Sequence, residues 1–338
     1  MTTSSIASPD VDAEHEQNKT PVSFLGPFCT YSHQATLLAF PDTSKWVLEP
    51  TSTIKEVFDR VQSGAAPYGV VPFENSTHGV VTFTLDGLAD RAGEYPDICV
   101  CGEIYLDVHH FLLGRRPPSS SPESEQRSSG RGGEENPKGV PLASLSHIRR
   151  VYSHPQAFGQ TARFQAKYLQ PLGIEFIDVS STSRAAQLAA ADPKGESAAI
   201  ASELAGREAG LDVLARWVED REDNTTRFFV IRRKETTEGG YPPPEEEGKR
   251  YKSLVSFTVP HRQPGALANV LDCFRRRELN LTSINSLPSL VAPFQYLFFV
   301  EFEGGREDDH EGRISGVLED LEKVAERWRW LGSWRRKR

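Results

Sequence analysis

The chain of 338 residues has room for about two domains of ordinary size, each able to bury its own core. Hydrophobic residues make up 38% and charged ones 25%, a globular composition. The formal net charge of −8 excludes a general nucleic-acid or anionic-membrane binder, which needs basic surface, so any anionic substrate has to be attracted by local groups.

Residues 1–20 hold Asp10, Asp12, Glu14 and Glu16 against a single base, Lys19. They resemble neither a signal peptide nor an Arg-rich transit peptide and read as a disordered N-terminus. No apolar run approaches the ~18 residues needed to span a bilayer, so the expectation is a cytoplasmic protein with neither membrane nor nucleic acid as partner. Cys29, Cys99, Cys101 and Cys273 contain no C-x-x-C pair and read as reduced core thiols.

From Val22 onward, short apolar strands alternate with amphipathic helices: VSFLG then SHQATLLAF, YGVVPF then HGVVTFTLDGLAD, IRRVYS then PQAFGQTARFQAKYL. Such alternation predicts an α/β sheet. Further units follow at Ser180–Ala191 (helix), Ala198–Ala201 (strand), Ser202–Ala209 (helix ended by Gly210) and Arg227–Arg232 (strand). Between two groups of these units lies RRPPSSSPESEQRSSGRGGEENPKG, Arg115 to Gly139, which has no large apolar side chain and reads as a disordered insert. Two lobes with a cleft between them fit this arrangement better than one sheet.

A second break, RRKETTEGGYPPPEEEGKR from Arg232 to Arg250, reads as a linker, which puts a domain boundary near residue 240. The predicted organisation is a domain over 21–232, a linker over 233–250 and a second domain over 251–335. In the last, a strand at Ser253–Val259, a helix from Pro264-Gly265 to about Arg277, strands at Leu281–Ser286 and Tyr296–Phe302, a helix over 312–327 and a strand near Trp328–Gly332 give β-α-β-β-α-β, the ferredoxin-like order. The closing WLGSWRRKR reads as a solvated basic tail.

No G-x-G-x-x-G, P-loop, H-E-x-x-H or G-x-S-x-G occurs, so nucleotide, zinc-peptidase and serine-hydrolase readings lose their main support. What recurs is a cluster of hydroxyls and amides where a strand hands over to a helix. In GPFCTYSHQA, Thr30 and Ser32 sit at a helix start, where free N–H groups and the dipole favour a carboxylate; taken alone, a plain N-cap is the more ordinary explanation. In VPFENSTHG, Glu74, Asn75 and Ser76 crown the carboxyl end of a strand, where ligands of open α/β sheets collect; a turn built on Asn75 and Ser76 is the alternative. Glu74 beside Phe73 is expected to hold its proton more tightly through desolvation, towards the range of a useful acid. In VYSHPQAF, Ser153 suits a cap and Pro155 a first turn, which leaves Gln156 unexplained; His154 receives no catalytic role. In DNTTRFFVI, Arg227 can grip a carboxylate in bidentate fashion, the alternative being a surface pair with Asp220 or Asp223.

Taken together and in this order, GPFCTYSHQA, GVVPFENSTHGVVTFTLDGL, VYSHPQAF and NTTRFFVI, followed by PGALANVLDCF, closely resemble the prephenate dehydratase family from about Val22 to Trp334. The resemblance implies a two-lobed catalytic domain similar to type II periplasmic-binding proteins, then a ferredoxin-like ACT domain that binds phenylalanine. It implies conversion of prephenate to phenylpyruvate, water and carbon dioxide in phenylalanine biosynthesis, with no metal and no organic cofactor. By that resemblance Thr226 acts on the departing hydroxyl and Arg227 meets a carboxylate; either a hydrogen-bonded neighbour such as Glu74 assists Thr226, or protonation and departure are nearly concerted. Asn75, Ser76 and Gln156 would bind and orient the substrate with Glu74; Thr30 and Ser32 join them as the helix-start candidates, and Phe73 and Phe228 either line an apolar side of the site or simply pack in the core. In the ACT part, the family's G-A-L-V appears as Gly265, Ala266, Leu267 and Ala268, and its E-S-R-P as Asn285, Ser286, Leu287 and Pro288. Both charged positions of the effector motif are therefore replaced. The resemblance further implies at least a homodimer. Arogenate dehydratase, whose substrate carries an amino group in place of the side-chain keto group, and a non-catalytic small-anion binding or sensor protein are the competing readings.

Overall fold

The computed structural model describes residues 19–116, 138–236 and 250–338. Residues 1–18 of the expected disordered N-terminus, 117–137 of the insert and 237–249 of the linker lie outside the described residues.

The described chain forms two compact units. One comprises the residues up to Leu25 with Ala35–Tyr105 and Arg227–Arg338, the other Gly26–Gln34 with Leu106–Thr226. Everything described after residue 240 belongs to the same compact unit as the first sheet. Composition marks where a chain leaves a core; it does not report which surfaces later pack together.

In chain order the first strands are β1 (Thr20–Leu25), β2 (Trp46–Thr51), β3 (Tyr68–Asn75), β4 (Gly79–Val80) and β5 (Ile98–Asp107). Next come β6 (Phe111–Gly114), β7 (Arg150–Ser153), β8 (Glu175–Asp178), β9 (Ser197–Ala201) and β10 (Asp212–Ala215). The last are β11 (Thr225–Arg233), β12 (Tyr251–Thr258), β13 (Leu281–Pro288), β14 (Tyr296–Glu303) and β15 (Arg327–Arg335).

The first sheet has the order β2-β1-β3-β11-β5, with β4 beside β3; the second has β10-β6-β9-β7-β8. Read from β8, the second repeats the first: a parallel trio ordered 2-1-3, then the strand that has just arrived from the other unit, then an outer strand. Strands buried on both faces explain the continuous apolar runs: Val22 and Phe24 in β1, Val70, Val71 and Phe73 in β3, and all five residues of β9 are buried.

The helix over Ile54–Ser63 and strand β2 are additions to the expected elements. Thr53 caps that helix by accepting from the Glu56 N–H, Glu56 reaches back to the Ser52 N–H, and Gly64 closes the end at φ 79°, a capping arrangement at both termini. Its buried face is Ile54, Val57, Phe58 and Val61, the spacing of a core-facing helix. Conversely, the single helix expected over PQAFGQTARFQAKYL is broken into Pro155–Gly159, Ala162–Phe164, a π turn at Gln165–Leu169 and a 3-10 turn at Gln170–Leu172. The buried Thr161 hydroxyl donates to the Ala157 carbonyl, and the Gln165 amide to the Phe158 carbonyl. Side chains thus take over the carbonyls at the break.

The third sheet has the order β13-β14-β12-β15, antiparallel throughout, and with helices Ala266–Arg276 and Arg313–Val324 it completes the expected β-α-β-β-α-β. One face packs Val255, Phe257, Val300 and Phe302 against Val270, Phe274, Val317 and Leu321. From the other face Leu254, Phe299, Leu331 and Trp334 enter the same core as Val71, Phe73, Phe229 and Ile231 of the first sheet. Phe73 stacks on Phe229 with centroids 4.0 Å apart, and Trp334 lies 5.2 Å from Phe229. At Gly332, φ 134°, a Cβ would stand 2.0 Å from the Val100 carbonyl oxygen, so the backbones of β15 and β5 meet where only glycine fits. The expected solvated tail is also tied down: the Lys337 N–H donates to Glu103, Arg336 pairs with Glu303, and Arg338 lies over the Tyr105 ring.

Candidate active site

Thr226 and Arg227 enter β11 side by side. Ahead of them the buried Asn224 accepts the Val108 N–H at 2.7 Å through its carbonyl, and the Thr225 hydroxyl donates to Asp107 at 2.6 Å. The segment is held where the strand begins. Thr226 is half-buried and Phe228 buried, and strand alternation puts these two on one face with Arg227 and Phe229 on the other.

The expectation that Arg227 meets a substrate carboxylate is corrected by its surroundings. Its guanidinium is buried and grips the protein's own acids: Nε and Nη2 donate to Glu103 at 2.9 and 2.6 Å, and Nη2 also donates to Glu301 at 2.6 Å. Lys252 stands 3.1 Å from Glu301. Phe73, Tyr105, Phe229 and Trp334 surround the guanidinium at 4.9–5.9 Å. Burial works against the charged guanidinium, yet Glu301 and Glu103 overcome it and raise its affinity for the proton. The alternative surface pair with Asp220 or Asp223 is likewise absent: Asp223 pairs with Arg221, and Asp220 accepts the N–H groups of Ala162 and Arg163.

At the end of β3, Glu74 is half-buried and paired across to Val80, while Ser76 is exposed. The Asn75 amide oxygen accepts from the Thr77 N–H, the Thr77 hydroxyl and the His78 N–H, so Asn75 builds the turn that was the alternative for this motif. At the helix Tyr31–Ala39, the Thr30 hydroxyl accepts the His33 N–H at 3.3 Å and donates to the Pro27 carbonyl. Thr30 therefore caps, and Ser32 is buried in the first turn. Gln156 is exposed in the first turn of Pro155–Gly159. The cap there is His154, whose Nδ1 accepts the Gln156 N–H at 3.2 Å. Ser153, expected to cap, is buried and donates to the Ile200 carbonyl instead.

Of the residues carried over, Glu74, Asn75, Ser76, Arg227 and Phe228 belong to the first unit, and Thr30, Ser32, Gln156 and Thr226 to the second. The second unit also holds a cluster around the buried His110 that sequence reasoning missed. The Tyr31 hydroxyl donates to the His109 carbonyl at 2.9 Å and lies 3.0 Å from His110 Nδ1; His110 Nε2 lies 2.7 Å from Gln160 Oε1. Glu219 accepts the His110 N–H and pairs with His109 Nδ1. Burial holds His110 below the usual imidazole range, partly offset by Gln160, and lifts the Tyr31 phenol well above its ordinary value. The signal in the sequence is the pair His109-His110 between two apolar runs, where solvated histidines are out of place.

In the C-terminal sheet, Gly265 is the N-cap of Ala266–Arg276 at φ 80°, Ala266 is buried and Leu267 half-buried. Asn285 pairs with Phe299 and donates to the Ser283 hydroxyl, and Ser286, its neighbour on β13, is exposed. Among the described residues no helix is long and apolar enough to cross a membrane.

The family model described as prephenate dehydratase matches residues 22–236. The bifunctional chorismate mutase/prephenate dehydratase of Aquifex aeolicus is 32% identical over 94% of this chain and 74% of its own length. The prephenate dehydratase of Methanocaldococcus jannaschii is 30% identical over 89% of this chain and 93% of its own. Among solved structures, the prephenate dehydratase of Arthrobacter aurescens in complex with L-Phe superposes with a TM-score of 0.73 at 28% identity, covering 94% of this chain and 90% of that one. The motifs on β3, β7 and β11 thus lie inside a match that runs through both sheets, and the chain belongs to the prephenate dehydratase family of hydro-lyases.

Proposed function

We propose that this chain catalyses the decarboxylating dehydration of prephenate to phenylpyruvate, with Thr226 as the catalytic residue. In that step the C–C bond to the ring carboxylate breaks, its electron pair passes through the cyclohexadiene, and the C–O bond to the ring hydroxyl breaks. One proton is taken up, so the products are phenylpyruvate, carbon dioxide and water. Aromatisation supplies the driving force; the protein has to orient the dianion and hydrogen-bond the departing oxygen, a contribution of about 10²–10⁴-fold. The observation that carries this reading is Thr226 itself. It is half-buried at the start of β11, anchored by Asn224 and Thr225 on the N-terminal side, and on the strand face opposite Arg227. The assignments of Glu74, Asn75, Ser76, Gln156 and Phe228 stay as the family resemblance gives them, and those of Thr30 and Ser32 as their place at a helix start gives them.

The two sheets with one shared strand order support the reading of residues 21–232 as periplasmic-binding-like lobes. The order β13-β14-β12-β15 supports an ACT domain after them, with phenylalanine as its effector through Gly265, Ala266, Leu267, Asn285 and Ser286. A homo-oligomer and a cytoplasmic location belong to the same reading. The test is phenylpyruvate formation from prephenate by the purified chain, beside phenylalanine formation from arogenate, each with and without added phenylalanine. Prephenate turnover suppressed by phenylalanine is the expected result. Turnover of arogenate alone reassigns the substrate, and turnover of neither leaves the small-anion binding reading.

A further inference from the structure

Two acids and two bases are buried together at one point of the first unit: Glu103 on β5, Arg227 on β11, and Lys252 and Glu301 on β12 and β14. Their side chains are 0–7% exposed. The formal charges cancel, and the polar atoms are further occupied: the Thr282 hydroxyl of β13 donates to Glu301 at 2.7 Å and the Lys337 N–H to Glu103 at 2.9 Å. Removing one partner from such a group leaves an uncompensated charge in the interior, so the cluster admits one arrangement of the strands that carry it. Apolar packing already joins these sheets, and hydrophobic contacts tolerate small slips. A guanidinium forked between two carboxylates does not.

Arg227 is the residue next to Thr226. We propose that Arg227 is a positioning residue: by locking β11 to Glu301 of the C-terminal sheet it sets the place of the Thr226 hydroxyl without touching substrate. The inference rests on the reading of Thr226 as the catalytic group and deepens it, since it makes the C-terminal sheet a working part of the catalytic strand. Thr282 extends the cluster to β13, the edge strand that also carries Asn285 and Ser286.

The test uses the full chain with Glu301→Gln, which keeps the shape and loses the charge, and Thr282→Val, which removes one hydroxyl at an exposed position and leaves the ion cluster in place. Each is measured for kcat and KM with prephenate and for amide hydrogen exchange over residues 224–230, beside Thr226→Ala. The expected result is a kcat about tenfold lower in Glu301→Gln and about threefold lower in Thr282→Val, with KM within about twofold of the parent in both. Exchange over 224–230 speeds up in the same order, and Thr226→Ala leaves it unchanged. A rise in KM at constant kcat puts the cluster in contact with substrate and overturns the proposal, as does unaltered exchange in both variants. Full turnover by Thr226→Ala refutes the reading of Thr226 instead, and the exchange result still decides whether Arg227 positions the strand. If Glu301→Gln does not fold, Thr282→Val alone carries the decision.

Discussion

His110 Nε2 lies 2.7 Å from the Gln160 amide oxygen, while Nδ1 of the same ring lies 3.0 Å from the Tyr31 hydroxyl. One buried imidazole therefore joins the helix start that carries Thr30 and Ser32 to the C-terminal end of the short helix that carries Gln156. Because burial depresses its folded value below the ordinary 6.5, the unfolded chain binds a proton there before the folded one does. Stability is then fully present above about pH 6.5 and declines as the pH falls from there through the folded value. Thermal unfolding followed from pH 7.5 to 5 is expected to show this slope in the parent and a flatter one in His110→Gln; identical slopes would refute the buried-neutral assignment.

Thr226→Ala is expected to lose turnover by about 10² or more, with KM within a few fold, since the hydroxyl acts in the transition state. Thr226→Ser should recover most of the loss. The check is steady-state phenylpyruvate formation, and near-normal turnover by the alanine variant would reject the role.

Arg227→Leu is expected to act on folding before it acts on affinity. It leaves Glu103 and Glu301 buried without their partner, a cost of about 3–5 kcal/mol. Urea unfolding should show the midpoint collapse. A stable variant with a greatly raised KM would restore the substrate-contact role that the buried geometry removes. Glu301 adds an acid-side signature. Burial would raise its carboxyl, but Arg227, the Thr282 hydroxyl and Lys252 together hold it below its ordinary 4.5. Its contribution is thus fully present above that value and is lost as pH falls through the folded one.

Gly332→Ala places a methyl group 2.0 Å from the Val100 carbonyl oxygen at φ 134°. No side chain can yield there because the obstacle is backbone. The strand has to move, which should cost well over the roughly 1–3 kcal/mol of the φ strain alone. Trp334, packed near Phe229, reports the outcome: its fluorescence is expected to change, together with a lower unfolding midpoint.

Much of the fold was legible along the chain because its signals are local. The run SLVSFTV announces a strand buried on both faces; β12 is buried from Lys252 to Phe257. The β-α-β-β-α-β order needed only periodicity and the Pro264-Gly265 start. TSTIKEVFDRVQSG carried a capping Thr53, Glu56 three residues on and an i, i+3, i+4, i+7 stripe, so the helix over Ile54–Ser63 was present in the sequence though not read from it. Strand β2, WVLEPT, was not legible, since its residues are mostly half-exposed and give no clear alternation.

For the candidate site, residue types and order pointed to the family, and local motifs pointed to the strand ends and the helix start that carry Thr226, Glu74 and Gln156. What tertiary structure alone decided is how those side chains are used. Arg227 finds Glu103 at a separation of 124 residues and Glu301 at 74, and Tyr31 finds His110 at 79. No periodicity or motif spacing reports such distances. A charged residue in a strand reads the same whether it faces an anion in solvent or two carboxylates in a core. Only the packing of the third sheet onto the first removes the water that makes the difference.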